Sequence, residues 1–173
     1  VANGDTLFFR LPGYENAKKV FVAGTFNKWN NQELPMVKKN GGWELPYILP
    51  AGNYEYKFIV DSKWIPDPYN AVRAGNGVDH NSVLPVKANH QFRLKGFENA
   101  NQVVVSGTFN EWNPEGYTLK REGNEWVLWV YLPPGKTLYK FIVDGRWVLD
   151  PDNDLWEQNE HNTGNSVLWM GYQ

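Results

Sequence analysis

Between residues 53 and 60 the chain alternates. Tyr54, Tyr56, Phe58 and Val60 fall on one parity, and Asn53, Glu55, Lys57 and Ile59 on the other. A period of two is the signature of a strand with one face turned to a core. Shorter runs at 6–11, 19–23, 42–49, 63–65 and 82–84 predict further strands, each bounded by Gly, Pro, Asn or Asp. No stretch of ten or more residues carries a helical stripe free of Pro and Gly. Six or seven short strands in roughly 85 residues, separated by turn signals, predict an immunoglobulin-type β-sandwich.

The pattern occurs twice. Phe9-Arg10-Leu11 returns as Phe92-Arg93-Leu94, and Gly24-Thr25-Phe26-Asn27-Lys28-Trp29-Asn30 as Gly107-Thr108-Phe109-Asn110-Glu111-Trp112-Asn113. Tyr56-Lys57-Phe58-Ile59-Val60-Asp61 returns as Tyr139-Lys140-Phe141-Ile142-Val143-Asp144. Trp64, Asp67-Pro68 and Asn70 match Trp147, Asp150-Pro151 and Asn153. The offset is 83, becoming 84 where Asn81-Ser82-Val83-Leu84 meets Asn165-Ser166-Val167-Leu168, so the second copy gains one residue in the preceding loop. A tandem duplication of this kind predicts an all-β chain of two immunoglobulin-like sandwiches, residues 1–86 and 87–173, with 118–122 an additional strand in the second. The junction at 85–89 is too short for a flexible tether.

Asp144-Gly145 between apolar runs is a two-residue hairpin signal, because Gly accepts positive φ at the second turn position. That turn pairs Val143 with Arg146 and Ile142 with Trp147. Directly paired residues share a face, so Lys140, Ile142 and Trp147 lie opposite the core face of Tyr139, Phe141 and Val143. Asp61-Ser62 groups Lys57, Ile59 and Trp64 in the same way. Each copy adds a second Trp, Trp29 or Trp112, in its Phe-Asn-x-Trp-Asn loop. Two flat indoles with an ammonium donor and nearby amides suit a sugar polymer, whose C–H faces stack on aromatics while its hydroxyls need polar partners. Trp43, Trp126, Trp129 and Trp169 fall within strand runs and are assigned to the core or the contact between copies.

Composition narrows the chemistry. With 173 residues, 42% of them apolar, and 27 aromatic residues, the chain can bury a core. A net charge of −2 supplies no basic field for nucleic acid or an anionic membrane, and no apolar run approaches a membrane span. The absence of Cys excludes disulfides, thiolate metal sites and a Cys nucleophile. The chain opens with neither an initiator Met nor a leader-like segment, which suits a mature chain or a fragment. The three histidines, His80, His90 and His161, sit in no catalytic or metal motif. Asp67 and Asp150 each precede Pro and read as Asx-type turn caps rather than glycosidase carboxyls. Asp150-x-Asp152-x-Asp154 resembles the start of a calcium loop but lacks its Gly and closing Glu. No cofactor is expected, and the chain reads as a binder rather than an enzyme.

The four ordered motifs, Gly-Thr-Phe-Asn-x-Trp-Asn, Tyr-Lys-Phe-Ile-Val-Asp-x-x-Trp, Asp-Pro-x-Asn and Asn-Ser-Val-Leu, resemble those of the family 48 carbohydrate-binding modules. That family includes the glycogen-binding domain of AMP-activated protein kinase β-subunits and N-terminal domains of isoamylase-type enzymes. The resemblance implies an early-set, immunoglobulin-like sandwich that binds α-1,4-linked glucans without cleaving them. It also implies an attached or associated amylolytic enzyme or kinase as partner. Carried over position by position, it implies glucan contacts at Trp29, Lys57, Trp64 and Asn81, and at Trp112, Lys140, Trp147 and Asn165. Thr163 matches the family's Thr, with His161 in place of its Leu; the first copy has Asp79 and Gly77 there. The second copy is therefore expected to be the stronger site, with Trp156 a candidate to close over the sugar. The alternative is a structural spacer that keeps the fold without a working sugar site.

Overall fold

The computed structural model describes residues 6–75 and 79–171. The first repeat contributes β1 (Thr6–Pro12), β2 (Val20–Gly24), β3 (Val37–Lys39), β4 (Gly42–Ile48), β5 (Gly52–Val60), β6 (Lys63–Ile65), β7 (Arg73–Ala74) and β8 (Asn81–Val86). The second contributes β9 (His90–Lys95), β10 (Val103–Gly107), β11 (Tyr117–Thr118), β12 (Lys120–Glu122), β13 (Glu125–Val130), β14 (Gly135–Val143), β15 (Arg146–Val148), β16 (Trp156–Gln158) and β17 (Gly164–Met170). The fold is all-β, as the alternation predicts.

In each repeat one small antiparallel sheet, β1-β4-β3 or β9-β13-β12, closes one side of a core. Phe9, Leu11, Val20, Val22, Trp43, Tyr56 and Phe58 fill the first; Phe92, Leu94, Val103, Val105, Trp126, Tyr139 and Phe141 fill the second. Trp43 and Trp126 are buried as expected, each indole N–H donating to a backbone carbonyl, Tyr14 at 3.0 Å and Phe97 at 3.2 Å. Trp129 and Trp169 are not: they are 54% and 64% exposed. Alternation explains both corrections. Leu128 and Val130 take the core face of β13, and Leu168 and Met170 pack on the core from β17, so the tryptophans between them point outward.

The run at 118–122 is also not one strand. Leu119 enters the second core, so the chain breaks there and crosses between sheets: β11 joins β10, and β12 joins β13.

The remaining strands form one continuous sheet in the order β16-β17-β14-β10-β11-β7-β8-β5-β2, with β15 on β14 and β6 on β5. The two repeats meet through β7 and β11, where Ala74 lies opposite Tyr117. Thr118 Oγ1 accepts from the Arg73 amide at 2.9 Å, and the Asn53 carboxamide both donates to Tyr131 O (2.8 Å) and accepts from Tyr131 N (2.9 Å). The register has a topological consequence. Ile59, Glu55, Val83, Asn81 and Ala74 share the outer face of the first repeat. Ala74 is paired with Tyr117, Tyr117 with Val105, and Val105 with Phe141, which is core. The outer face of the first repeat thus continues as the core face of the second, and Ala74 and Val83 are buried in the second repeat's core.

Candidate functional site

The Phe-Asn-x-Trp-Asn loop is built by its own polar groups. In the second repeat a 3-10 turn spans Thr108–Asn110; Asn110 Oδ1 accepts from Gly107 N at 2.9 Å, and Trp112 N donates to Gly107 O at 2.8 Å. Glu111 and Trp112 then adopt left-handed φ of 58° and 56°. The first repeat repeats this with Asn27, Gly24, Lys28 and Trp29. A non-glycine residue in this region costs roughly 1 kcal/mol, and here two successive ones carry the indole out of the loop. Gly24 and Gly107 are needed because a Cβ would collide with the backbone oxygens of Glu55 and Leu138.

The hairpins have the predicted register, with Ile59 opposite Trp64 and Ile142 opposite Trp147. Asp61 and Asp144 take positive φ in the turns, and their carboxylates accept backbone N–H groups of Lys18 and Lys19, and of Asn101 and Gln102, which ties each turn to the start of the neighbouring strand. Trp64 and Trp147 are 38% and 42% exposed on outward faces. Each approaches its loop partner: Trp29 and Trp64 have centroids 6.3 Å apart at 49°, Trp112 and Trp147 6.4 Å apart at 42°.

In the second repeat the sequence-expected residues converge. Trp112, Lys140, Trp147, Thr163 and Asn165 line one cavity of about 670 Å³, with Leu138 on its floor strand and Glu157 and His161 also on its wall. Lys140 Nζ donates to Thr163 Oγ1 at 3.3 Å, and burial lowers the pKa of this ammonium. Asn159, which sequence reasoning missed, organises the loop. Its Nδ2 donates to Thr163 Oγ1 (2.7 Å) and Asn165 Oδ1 (3.2 Å), and its Oδ1 accepts the amides of His161 and Thr163. The available signal was Asn159 two residues before His161, an Asx-turn spacing. Trp156 does not line the cavity; it packs over Gly164 beside Leu149. Its strand position is opposite Ser166, on the parity facing away from Asn165 and Lys140.

The first repeat assembles the Trp pair and keeps Lys57 half-buried, but Asn81 Nδ2 donates to Glu55 Oε1 at 3.0 Å. Glu55 stands where the second repeat has Leu138. Burial and the Glu55 charge both push the Tyr117 phenol of the second repeat above its usual pKa, so this carboxylate faces the contact between repeats. Asp79 is exposed; Gly77 lies outside the described residues.

The other motif residues hold the frame. Asp67 caps its turn through the Tyr69 amide (2.9 Å) and accepts the Tyr56 hydroxyl at 2.6 Å, while Asn70 bridges Tyr56 and Val83 O. Asp150, Tyr139 and Asn153 repeat the arrangement. Among the described residues no group of three or more His, Asp or Glu side chains is placed to hold a metal.

A family model described as the glycogen recognition site of AMP-activated protein kinase matches residues 12–93 and again 91–170. The chain belongs to this family. Its relatives include 5'-AMP-activated protein kinase subunit beta-2 of Mus musculus, 34% identical over 73 residues, covering 42% of this chain and 27% of that protein. Subunit beta-1 of Sus scrofa is 33% identical over 79 residues, covering 46% of this chain and 62% of that protein. The chain thus spans about a quarter of the length of the mouse relative. Among solved structures, a maltogenic amylase from S. marinus aligns over 96% of this chain and 28% of its own, at 15% identity and a TM-score of 0.42. A pullulanase from Anoxybacillus sp. LM18-11, complexed with maltotetraose, aligns over 97% and 26%, at 15% identity and a TM-score of 0.35.

Proposed function

We propose that this chain binds α-1,4-linked glucans without cleaving them, mainly through the second repeat, and so carries an attached or associated protein to the polymer. The supporting observation is the convergence of Trp112, Trp147, Lys140, Thr163 and Asn165 on one cavity in a member of a glycogen-recognition family. Two indoles inclined at 42° offer stacking planes to successive sugar rings that turn relative to one another, as they do in an α-1,4 chain. Lys140 supplies donors, and Thr163 and Asn165 supply both donors and acceptors, for the hydroxyls. The names of the relatives make a kinase the partner to test first, and the resemblance to N-terminal domains of isoamylase-type enzymes makes an amylolytic enzyme the second. The division into modules at residues 86 and 87 belongs to the same proposal.

The first repeat has a second reading. Its outer face is partly covered by the second repeat and its Asn81 is held by Glu55, which favours a supporting role for that half. Electrophoresis of the full chain in gels with and without glycogen tests the proposal. Retardation that is lost in Trp112→Ala supports it. Unchanged mobility of the parent chain in glycogen gels would leave only the spacer reading.

A further inference from the structure

On the second repeat the outward parity of β14 carries Ile142, Lys140, Leu138 and Lys136, and that of β17 carries Asn165, Val167 and Trp169. Ile142 lies opposite Trp147, Leu138 opposite Val167 and Lys136 opposite Trp169. Trp169 therefore stands on the same sheet face as the cavity, six residues along β14 from the level of Trp147, or roughly 20 Å at ~3.3 Å per residue. Leu138 and Glu157 belong to the cavity, and Glu157 also accepts from Lys136 Nζ at 3.0 Å. The half-exposed Lys136–Glu157 pair and Leu138 thus fill the interval between the cavity and an indole that is 64% exposed.

We propose that the glucan-binding face of the second repeat extends along this strip to Trp169, which stacks a sugar ring several units away from the Trp112–Trp147 pair. The inference rests on the glucan reading of the cavity. An isolated exposed Trp carries little meaning, but this one continues a face that alternates apolar platforms with exposed hydrogen-bonding charge. A glucan meets both needs: C–H faces for Leu138 and Trp169, and hydroxyls that replace the water on Lys136 and Glu157.

The first repeat shows why sugar is favoured over a docked protein. There the matching area is covered by the second repeat, and its positions are suited to being covered: Asn53 pairs with the Tyr131 backbone, and Ala74 is small and apolar. The second repeat has Lys136 and Glu157 at those two positions. A protein module seated on them would strip water from both charges, whereas sugar hydroxyls can replace it.

The test is titration of the full chain, Trp169→Ala, Trp169→Phe and Trp112→Ala with a short and a long oligosaccharide, maltotriose and maltodecaose. Trp169→Ala should leave maltotriose affinity unchanged and weaken maltodecaose roughly three- to tenfold. Trp169→Phe should restore most of the loss. Trp112→Ala should weaken both. Unchanged maltodecaose affinity in Trp169→Ala, with Trp112→Ala still impaired, overturns the extension and leaves the cavity reading standing. Equal losses for both lengths in Trp169→Ala overturn it too, as a general structural effect. No binding by the parent chain overturns the underlying glucan reading and the extension with it.

Discussion

The two repeats carry the same strands, the same Asp-capped hairpin and the same tilted Trp pair, yet their outer faces do different things. In the first, Asn53, Glu55, Val83 and Ala74 turn toward the second repeat, and two of them are buried in its core. In the second, Lys136, Leu138, Val167 and Glu157 occupy those positions beside an open cavity and an exposed Trp169. In each copy the larger sheet has one outer face. When copies meet through that sheet, one copy uses part of its face to form the contact and the other keeps its face free. A few substitutions at matching positions then adapt each face to its neighbour, protein or solvent.

Substitutions at those positions can break or sharpen the contrast, and all of them belong in the full chain, since separating the repeats would expose Ala74 and Val83. The largest effect is expected from Asn53→Ala. It leaves the Tyr131 backbone N–H and C=O without their partners, and should lower unfolding free energy by about 1–3 kcal/mol in chemical denaturation. Lys136→Ala, at the same position of the second repeat, removes only an exposed ion pair and should cost no more than about 0.5 kcal/mol. Equal losses would mean that Asn53 does not seal the contact.

Next comes the ranking of the sites. Trp147→Ala should weaken glycogen binding more than Trp64→Ala, by about 1 kcal/mol, the scale of one aromatic contact. Calorimetric titration with a maltooligosaccharide showing the reverse order would place the working site in the first repeat. A smaller effect is expected from Glu55→Leu, which gives the first repeat the Leu of the second and frees Asn81. In a Trp147→Ala background it should raise residual glucan affinity a few-fold; no gain would mean that the contact between repeats, not the carboxylate, limits that site.

The smallest effect concerns a feature the repeats share. Burial first, then the hydrogen bonds to Asp67 and Asp150, push the hydroxyls of Tyr56 and Tyr139 above their usual value of 10.0. The folded state therefore holds these protons where the unfolded chain releases them. The stability this confers is complete below pH 10.0 and declines as pH rises above it. Denaturation followed from pH 8 to 11 should show that decline, and Tyr56→Phe with Tyr139→Phe should make it shallower, the raised Tyr54 and Tyr117 phenols keeping the rest, while lowering stability at neutral pH.

Much of this was legible from residue order. The alternation at 53–60 and the Asp-Gly turn predicted a register that places Trp64 and Trp147 outward, because strand parity and two-residue turns leave little freedom. The repeat made the Trp, Lys and Asn positions visible as a set. Less legible were Trp129 and Trp169, assigned inward because they are apolar and within strands. Parity overrides hydropathy there: their neighbours Leu128, Val130, Leu168 and Met170 already occupy the core face. Trp156 was a poor candidate to close the site for the same reason. Asn159 stayed hidden because its partners Thr163 and Asn165 are brought together only when the loop folds back on β17.

By itself, then, the sequence determined what depends on near neighbours in the chain: strand period, turn type, the loop that lifts each indole, and the presence of two copies. Only the tertiary structure decided which copy keeps its face open. That choice depends on β7 pairing with β11, a contact between residues 74 and 117, and two strands of two residues each carry too few side chains to announce their partner. Once they pair, sheet continuity turns the outer face of one repeat into the core face of the next, and the positions of Glu55 and Leu138, equivalent in sequence, face a protein neighbour in one copy and an open cavity in the other.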